Sequence, residues 1–487
     1  MSGKAQDKQD DKPVIVVFRD DLRLGDNKAL SAAAASGRRV LPLYVLDERR
    51  ARRPMGAARR WWLHHSLTAL SEALDKRGAP LLLRSGDTHD IVRYLADEIG
   101  AGAVYWNRCY DPAVAAKDTR LKTALREDGI EAVSFDGQLL HEPTRLKTGG
   151  GTPFKVFTPF WKHLSSQGEP RDPVDAPRKL TPYDGKLKGD KLDDWHLLPT
   201  KPDWAGGLRE TWTPGEEGAK ARLAAFLEDA LDGYAEGRDI PGREATSRLS
   251  PHLAAGEITP YQILHALTAY KGKASSRDIE TFRKEVGWRE FSYHLLFHNP
   301  DLADKNFNDR FDAFEWGNDS RLLKAWQGGL TGYPIVDAGL RQLWQTGWMH
   351  NRVRMIVASL LVKHLLIDWR RGEDWFWDTL VDADPANNPA SWQWVAGSGA
   401  DASPYFRVFN PVLQGQKFDP DGAYVRRYVP ELAELPDKYL HNPWDAPKSV
   451  LEEAGVKLGA DYPVALVEHQ RARDRALHRY QQLKEVS

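Results

Sequence analysis

Cysteine is almost missing from this chain: among 487 residues only Cys109 carries a thiol. One thiol forms no disulfide within the chain and leaves a cysteine-based zinc site without ligands. It also agrees with a reducing compartment. An excess of either charge is missing too, since 68 Lys and Arg face 69 Asp and Glu. Proteins that grip nucleic acid through bulk charge are basic, so a nucleic-acid partner here requires basic side chains gathered on one face. No apolar run approaches the roughly 20 residues of a membrane-spanning helix; the longest is Met355–Leu361. The first residues, MSGKAQDKQDDKP, lack the apolar core of a signal peptide. The expectation is a soluble, cytoplasmic, monomeric protein with a disordered tail over residues 1–12.

At this length two or three domains are expected. Short apolar runs rich in β-formers alternate with helical periods through the first third. The runs are Val14–Phe18, Val40–Leu46, Pro80–Leu83, Ala103–Trp106 and Ala132–Phe135. The helical periods are Ala29–Ala35, Ala57–Lys76, Ile91–Ile99 and Asp111–Arg126. This alternation predicts an α/β domain over 13–142 built on a parallel, doubly wound sheet. No Gly-x-Gly-x-x-Gly follows the first strand; Arg19-Asp20-Asp21-Leu22-Arg23-Leu24 does, against an ordinary dinucleotide fold. From 143 to 214 Pro, Gly and Lys are frequent, which predicts an interdomain linker draped over the surface. Residues 215–487 show only helical periods, one of them a long helix from Trp348 to Trp369, and predict an all-α domain.

Tryptophan is abundant. Seven of the 18 fall between Trp344 and Trp394, among Asp382, Asp384, Asn387, Asn388, Arg352 and Arg354. Indole is bulky and its N–H needs a partner when buried; it also stacks on flat molecules and is readily oxidised. The mixture points to a site for a planar redox ligand, a nucleobase, or both.

Four motifs carry chemistry, each with a plainer alternative. Thr246-Ser247-Arg248-Leu249-Ser250-Pro251 offers three hydroxyls at a helix start, a cradle for a diphosphate or merely a cap. Glu285, Trp288 and Arg289 share one helical face, as a base-binding surface or as an intrahelical ion pair beside a core Trp. Arg352 and Arg354 point apart on a helix, so one can meet a carboxylate while the other reaches a phosphate. Asp382-Ala383-Asp384 lacks the Gly and Glu of a calcium loop and reads as an acid/base pair or an Asx-rich turn; no metal is expected.

Together these residues resemble the photolyase/cryptochrome family. The resemblance runs from FRDDLRLGDN (Phe18–Asn27) to YFRVFNPVLQGQKFDPDGAYVRRYVPEL (Tyr405–Leu432). It is densest in TSRLSPHLAAGEITP, GWREF, TGYPIVDAGLRQLWQTGWMHNRVRM and DADPANNPASWQW. It implies an α/β domain, a linker and a helical FAD domain. Tyr234 and Thr246, Ser247, Arg248, Leu249 and Ser250 would hold the phosphate side of the FAD, with Phe282 among its contacts. Asp382 and Asp384 would face the flavin ring, Arg354 would pair with Asp382, and Asn388 would lie beside flavin N5. Trp392, Trp369 and Trp316 would pass electrons inward. Trp344, Trp348, Trp375 and Trp377 are left to the helical core. Glu285, Trp288, Asn351, Met355 and Trp394 would line a lesion pocket, and Arg289, Arg352, Arg407 and Gln414 would approach the DNA backbone or the pocket rim. Glu285 would be kept protonated by burial.

Within the family, His350-Asn351 stands where enzymes for (6-4) photoproducts carry His-His, and Asn388 stands where plant cryptochromes place Asp. Both choices, with Met355 and a short C-terminus, favour light-driven repair of cyclobutane pyrimidine dimers in UV-damaged DNA, with a signalling cryptochrome as the alternative. A second, antenna chromophore is implied: methenyltetrahydrofolate first, 8-hydroxy-5-deazaflavin second. Ala113-Val114 and Ala303-Asp304 depart from the best-known bacterial folate site.

Overall fold

The computed structural model describes residues 11–49, 51, 53–317, 319–402 and 406–485. The expected tail and Tyr405 lie largely or wholly outside them. Five parallel strands form one sheet: β1 (Val14–Phe18), β2 (Val40–Leu46), β3 (Leu82–Ser85), β4 (Ala103–Asn107) and β5 (Glu131–Phe135), in the order β3-β2-β1-β4-β5. Helices α1 (Lys28–Ala35), α2 (Ala57–Asp75), α3 (Thr88–Glu98) and α4 (Pro112–Glu127) connect them. Every residue of β1 and β4 is buried, as strands covered on both faces require. The edge strands β3 and β5 are half-exposed, so apolar content marks their limits poorly: β3 starts two residues later than the expected Pro80. Helix α3 starts at Thr88, three residues before its apolar period, because the Asp87 carboxylate accepts the His89 and Asp90 N–H groups.

The stretch from 143 to 214 is not simply draped over the surface. It contains helix α5 (Phe157–Ser165), which buries Phe157, Phe160 and Leu164 against the helical domain. Their i, i+3, i+7 spacing is a helical stripe, masked by the Pro- and Gly-rich sequence around it.

The helical domain holds α6 (Ser250–Ala255), α7 (Ser276–His298), α8 (Pro334–Thr346), α9 (Asn351–Ser359), α10 (Trp369–Thr379) and α11 (Asn387–Ala396), which bear on the site. The expected helix Trp348–Trp369 is broken. A π-helical turn, Leu360–His364, follows α9, and Leu366 then takes a left-handed φ of 52°. The run is apolar on all sides, so its periodicity could not show the break. The deviation brings Lys363 inward, where Nζ donates to the Ala396 carbonyl at 2.6 Å. Among the described residues no helix is long and apolar enough to cross a membrane.

Candidate functional site

The turn between α10 and α11 sets the centre of the site. Asp382 Oδ2 accepts from Arg354 Nη2 at 2.7 Å and from Ser250 Oγ at 2.6 Å. Three separate segments therefore meet on one carboxylate oxygen. The other oxygen, Oδ1, is buried with no hydrogen-bond partner, and an unused buried acceptor is costly unless a donor is supplied. A flavin imide or ribityl donor is such a group, so the residues fit the implied cofactor.

Asp384 behaves differently. Oδ1 accepts the Ala386 and Asn387 N–H groups at 2.8 and 2.7 Å, and Oδ2 accepts the Tyr293 hydroxyl at 2.7 Å. It shapes the Asx turn that starts α11. Its side chain, expected at the flavin ring, is committed elsewhere. Burial, then the Asp384 charge, pushes the Tyr293 phenol well above its ordinary range.

The hydroxyl cradle precedes α6. Arg248 sits in its middle with a left-handed φ of 50°, an unfavourable conformation for a residue with a Cβ and one that clusters at binding sites. Ser247 Oγ accepts the Leu249 N–H at 3.4 Å; Thr246 and Ser247 are half-buried, and Ser250 is exposed. Leu249, Tyr234 and Phe282 are buried, with Phe282 against Phe226 and the edge of Tyr234. Trp348 belongs here rather than in plain core. The Arg248 guanidinium lies 5.1 Å from its ring centroid, Arg354 lies 6.0 Å away, and Trp348 Nε1 donates to Ser250 Oγ at 3.4 Å. Its place beside Met349-His350 was the available signal.

On the lesion side Glu285 pairs with Arg238, not with Arg289 four residues on. Its side chain is 29% exposed, so the expected burial of a protonated carboxyl is not what the geometry provides. Arg238 was missed because it sits outside the quoted motifs, on the loop after the short helix Tyr234–Gly237. Trp288 is half-buried, with Phe157 stacked on one face at 3.7 Å. Arg289 is 8% exposed, donates to the Gln138 carbonyl at 3.0 Å and pairs with Glu290. It is a structural link to the α/β domain and cannot meet a DNA phosphate from there. Burial raises the Glu290 carboxyl to about 7 against the pull of Arg289.

Arg352, expected at the DNA, pairs with Asp239 at 2.8 Å and lies over the Phe418 ring. Asn351 and Arg407 are exposed; Met355, Gln414 and Trp394 are half-buried. Trp394 Nε1 donates to the Asp401 carbonyl at 3.1 Å. His350 caps α9: Nδ1 accepts the Arg352 N–H at 3.2 Å, and burial pushes the imidazole down to about 3.

Trp392 and Trp369 are buried in the same core, with Trp316 packed at its edge. Gly372 makes this packing possible, since a Cβ there would meet the Trp392 ring at 2.2 Å. Trp369 Nε1 donates to Asn306 at 2.9 Å, whereas Trp392 Nε1 is buried without a partner. Residues 317 and 367 form a bridge that sets Trp316 beside the start of α10. Trp344 is not core. It is 59% exposed and stacks flat on Trp375.

Comparison with known proteins bears on the family of the whole chain. Family models described as DNA photolyase and as the FAD binding domain of DNA photolyase match residues 14–178 and 282–482. The chain is 58% identical over 475 residues to the Deoxyribodipyrimidine photo-lyase of Agrobacterium fabrum, spanning 98% of this chain and 99% of that protein. It belongs to the photolyase/cryptochrome family. The crystal structure of a bacterial class III photolyase from Agrobacterium tumefaciens matches with a TM-score of 0.95 at 58% identity, covering 98% of both chains. Cryptochrome-1 of Arabidopsis thaliana is also similar, 38% identical over 467 residues, 93% of this chain and 68% of that one. The helical part is accordingly an FAD-binding domain.

Proposed function

We propose that the chain is a lyase that uses blue light to split cyclobutane pyrimidine dimers in DNA. The observation that carries this reading is its end-to-end likeness, at 58% identity, to a protein named deoxyribodipyrimidine photo-lyase. Reduced FAD, when bound and excited, supplies an electron that opens the dimer's cyclobutane ring and is returned afterwards, so no net oxidation results.

The chain's own residues bind, orient and tune. Asp382, fixed by Arg354 and Ser250, offers Oδ1 to the flavin ring, and the 246–250 cradle takes the phosphate side. Asn388 would lie beside N5 of the bound flavin. Trp392, Trp369 and Trp316 carry electrons inward. A dimer stacks poorly in the duplex, so extruding it costs less than extruding normal bases. Trp288, covered by Phe157 on one face, stacks on the extruded bases with the other, and Trp394 faces them. Arg238, held in place by its ion pair with Glu285, stabilises negative charge on the dimer. Asn351 and Met355 complete the pocket wall, and Arg407 and Gln414 meet the backbone at its rim.

A second chromophore fits the cleft between the domains, lined by Tyr44, Asp47, Cys109, Val114, Trp377 and Ala383. Ala383 places this cleft next to the Asp382–Asp384 turn, a short path for energy transfer. Methenyltetrahydrofolate is the first choice and 8-hydroxy-5-deazaflavin the second; neither Ala303 nor Asp304 lines the cleft.

Substrate choice tests the reading. Reduced protein is given one oligonucleotide with a cyclobutane dimer and another with a (6-4) photoproduct under blue light. Loss of the cyclobutane dimer alone is expected; loss of the (6-4) lesion alone, or of neither, overturns it.

A further inference from the structure

Asn388 is held from behind. Both hydrogens of its amide have acceptors on Glu373, the backbone carbonyl at 3.0 Å and Oε1 at 2.7 Å. An amide with both N–H groups committed on one side presents its carbonyl oxygen on the other. The Glu373 side chain is 1% exposed and meets both terminal nitrogens of Arg53, Nη1 on Oε2 at 2.6 Å and Nη2 on Oε1.

Arg53 comes from the other domain, in the segment that leads from β2 into α2. That segment is sewn to α10. The Arg53 guanidinium lies 3.9 Å from the Trp377 ring centroid, Trp377 Nε1 donates to the Pro54 carbonyl at 2.8 Å, and the Ala57 N–H donates to Asp378 at 2.9 Å. Gly56 allows the approach, since a Cβ there would sit 2.1 Å from the Trp377 carbonyl oxygen.

We propose that Arg53 is a positioning residue of the flavin site: by pairing with Glu373 it fixes Asn388 so that an acceptor, not a donor, faces the flavin edge. This rests on the placement of Asn388 beside N5 proposed above. A reduced flavin carries a hydrogen on N5 and is matched by an acceptor, whereas an oxidised flavin has a lone pair there and is matched by a donor. A protonated Glu373 would turn one of its acceptors into an O–H and free the amide to rotate. Burial and the charge of Asp374, which also meets Arg53 at 3.2 Å, push the Glu373 carboxyl upward, and Arg53 is the main opposing influence.

The test follows how fast bound, reduced FAD reoxidises in air in the dark. In Arg53→Met the rate matches the wild type near pH 8 and becomes about tenfold faster near pH 6, as the unpaired carboxyl takes up a proton. Arg53→Lys keeps the charge and restores wild-type behaviour. Glu373→Gln is neutral at every pH and is fast at both. An Arg53→Met protein that holds FAD and follows the wild-type rate at both pH values overturns the proposal, and so does a wild-type rate in Glu373→Gln. If Arg53→Met does not retain FAD, Glu373→Gln decides alone. Failure of the wild type to repair dimers, with these rates as expected, counts against the repair reading only. Failure of the wild type to hold FAD removes both.

Discussion

Arg354 and Asp382 share a 2.7 Å ion pair that uses only one carboxylate oxygen and leaves the other buried and unpaired. Charge-assisted hydrogen bonds to such an oxygen are worth roughly 1.5–3 kcal/mol. Asp382→Asn keeps the shape but weakens both the pair and the acceptor. The FAD dissociation constant should rise roughly 10- to 100-fold, read from fluorescence of released flavin. An unchanged constant removes Asp382 from the flavin contacts.

Trp392 is 2% exposed, buried against Gly372. Trp392→Phe should hold FAD but lose light-driven reduction of the oxidised flavin by at least about tenfold, since phenylalanine is much harder to oxidise. The same variant, reduced chemically beforehand, should still split dimers. Normal photoreduction in Trp392→Phe would take this residue out of the electron path.

His350 caps α9 as a neutral acceptor, with its imidazole pushed down to about 3 by burial. The unfolded chain takes up this proton first, near pH 6.5. The cap's stabilisation is therefore complete above that pH and is lost as pH falls toward the folded value. His350→Asn keeps a capping oxygen and does not titrate. Its Tm should fall less than that of the wild type between about pH 7 and about pH 5. Equal falls would contradict this assignment.

Arg407 is exposed and Arg289 is buried, so they should separate in two assays. Arg407→Ala should weaken DNA binding and lower the salt dependence by about one phosphate contact. Arg289→Ala should instead lower thermal stability, since it strands Glu290 and the Gln138 carbonyl between the two domains. Loss of DNA affinity in Arg289→Ala with unchanged Tm would return Arg289 to the DNA contacts.

The doubly wound sheet was legible because β1 and β4 are apolar throughout and the helices between strands carry a clear period. Asp382, Arg354 and Ser250 were legible only through the resemblance of their motifs, since they are far apart in the chain. Local spacing misled where a tertiary partner won. Glu285 and Arg289 are correctly spaced for an intrahelical pair, yet Arg238 and Glu290 take them. Asp384 looked equivalent to Asp382, but backbone N–H groups of the following turn claim it. Arg53 and Glu373, 320 residues apart, left no signal in either segment alone.

Light-driven repair requires the FAD-loaded chain, its lesion and light together. The most direct measurement is the dimer content of a thymine-dimer oligonucleotide incubated with reduced protein, under blue light and in darkness. Dimers should disappear in the light, with many repaired per protein molecule, and persist in the dark. Dimer levels unchanged in both, or falling equally in both, would contradict it.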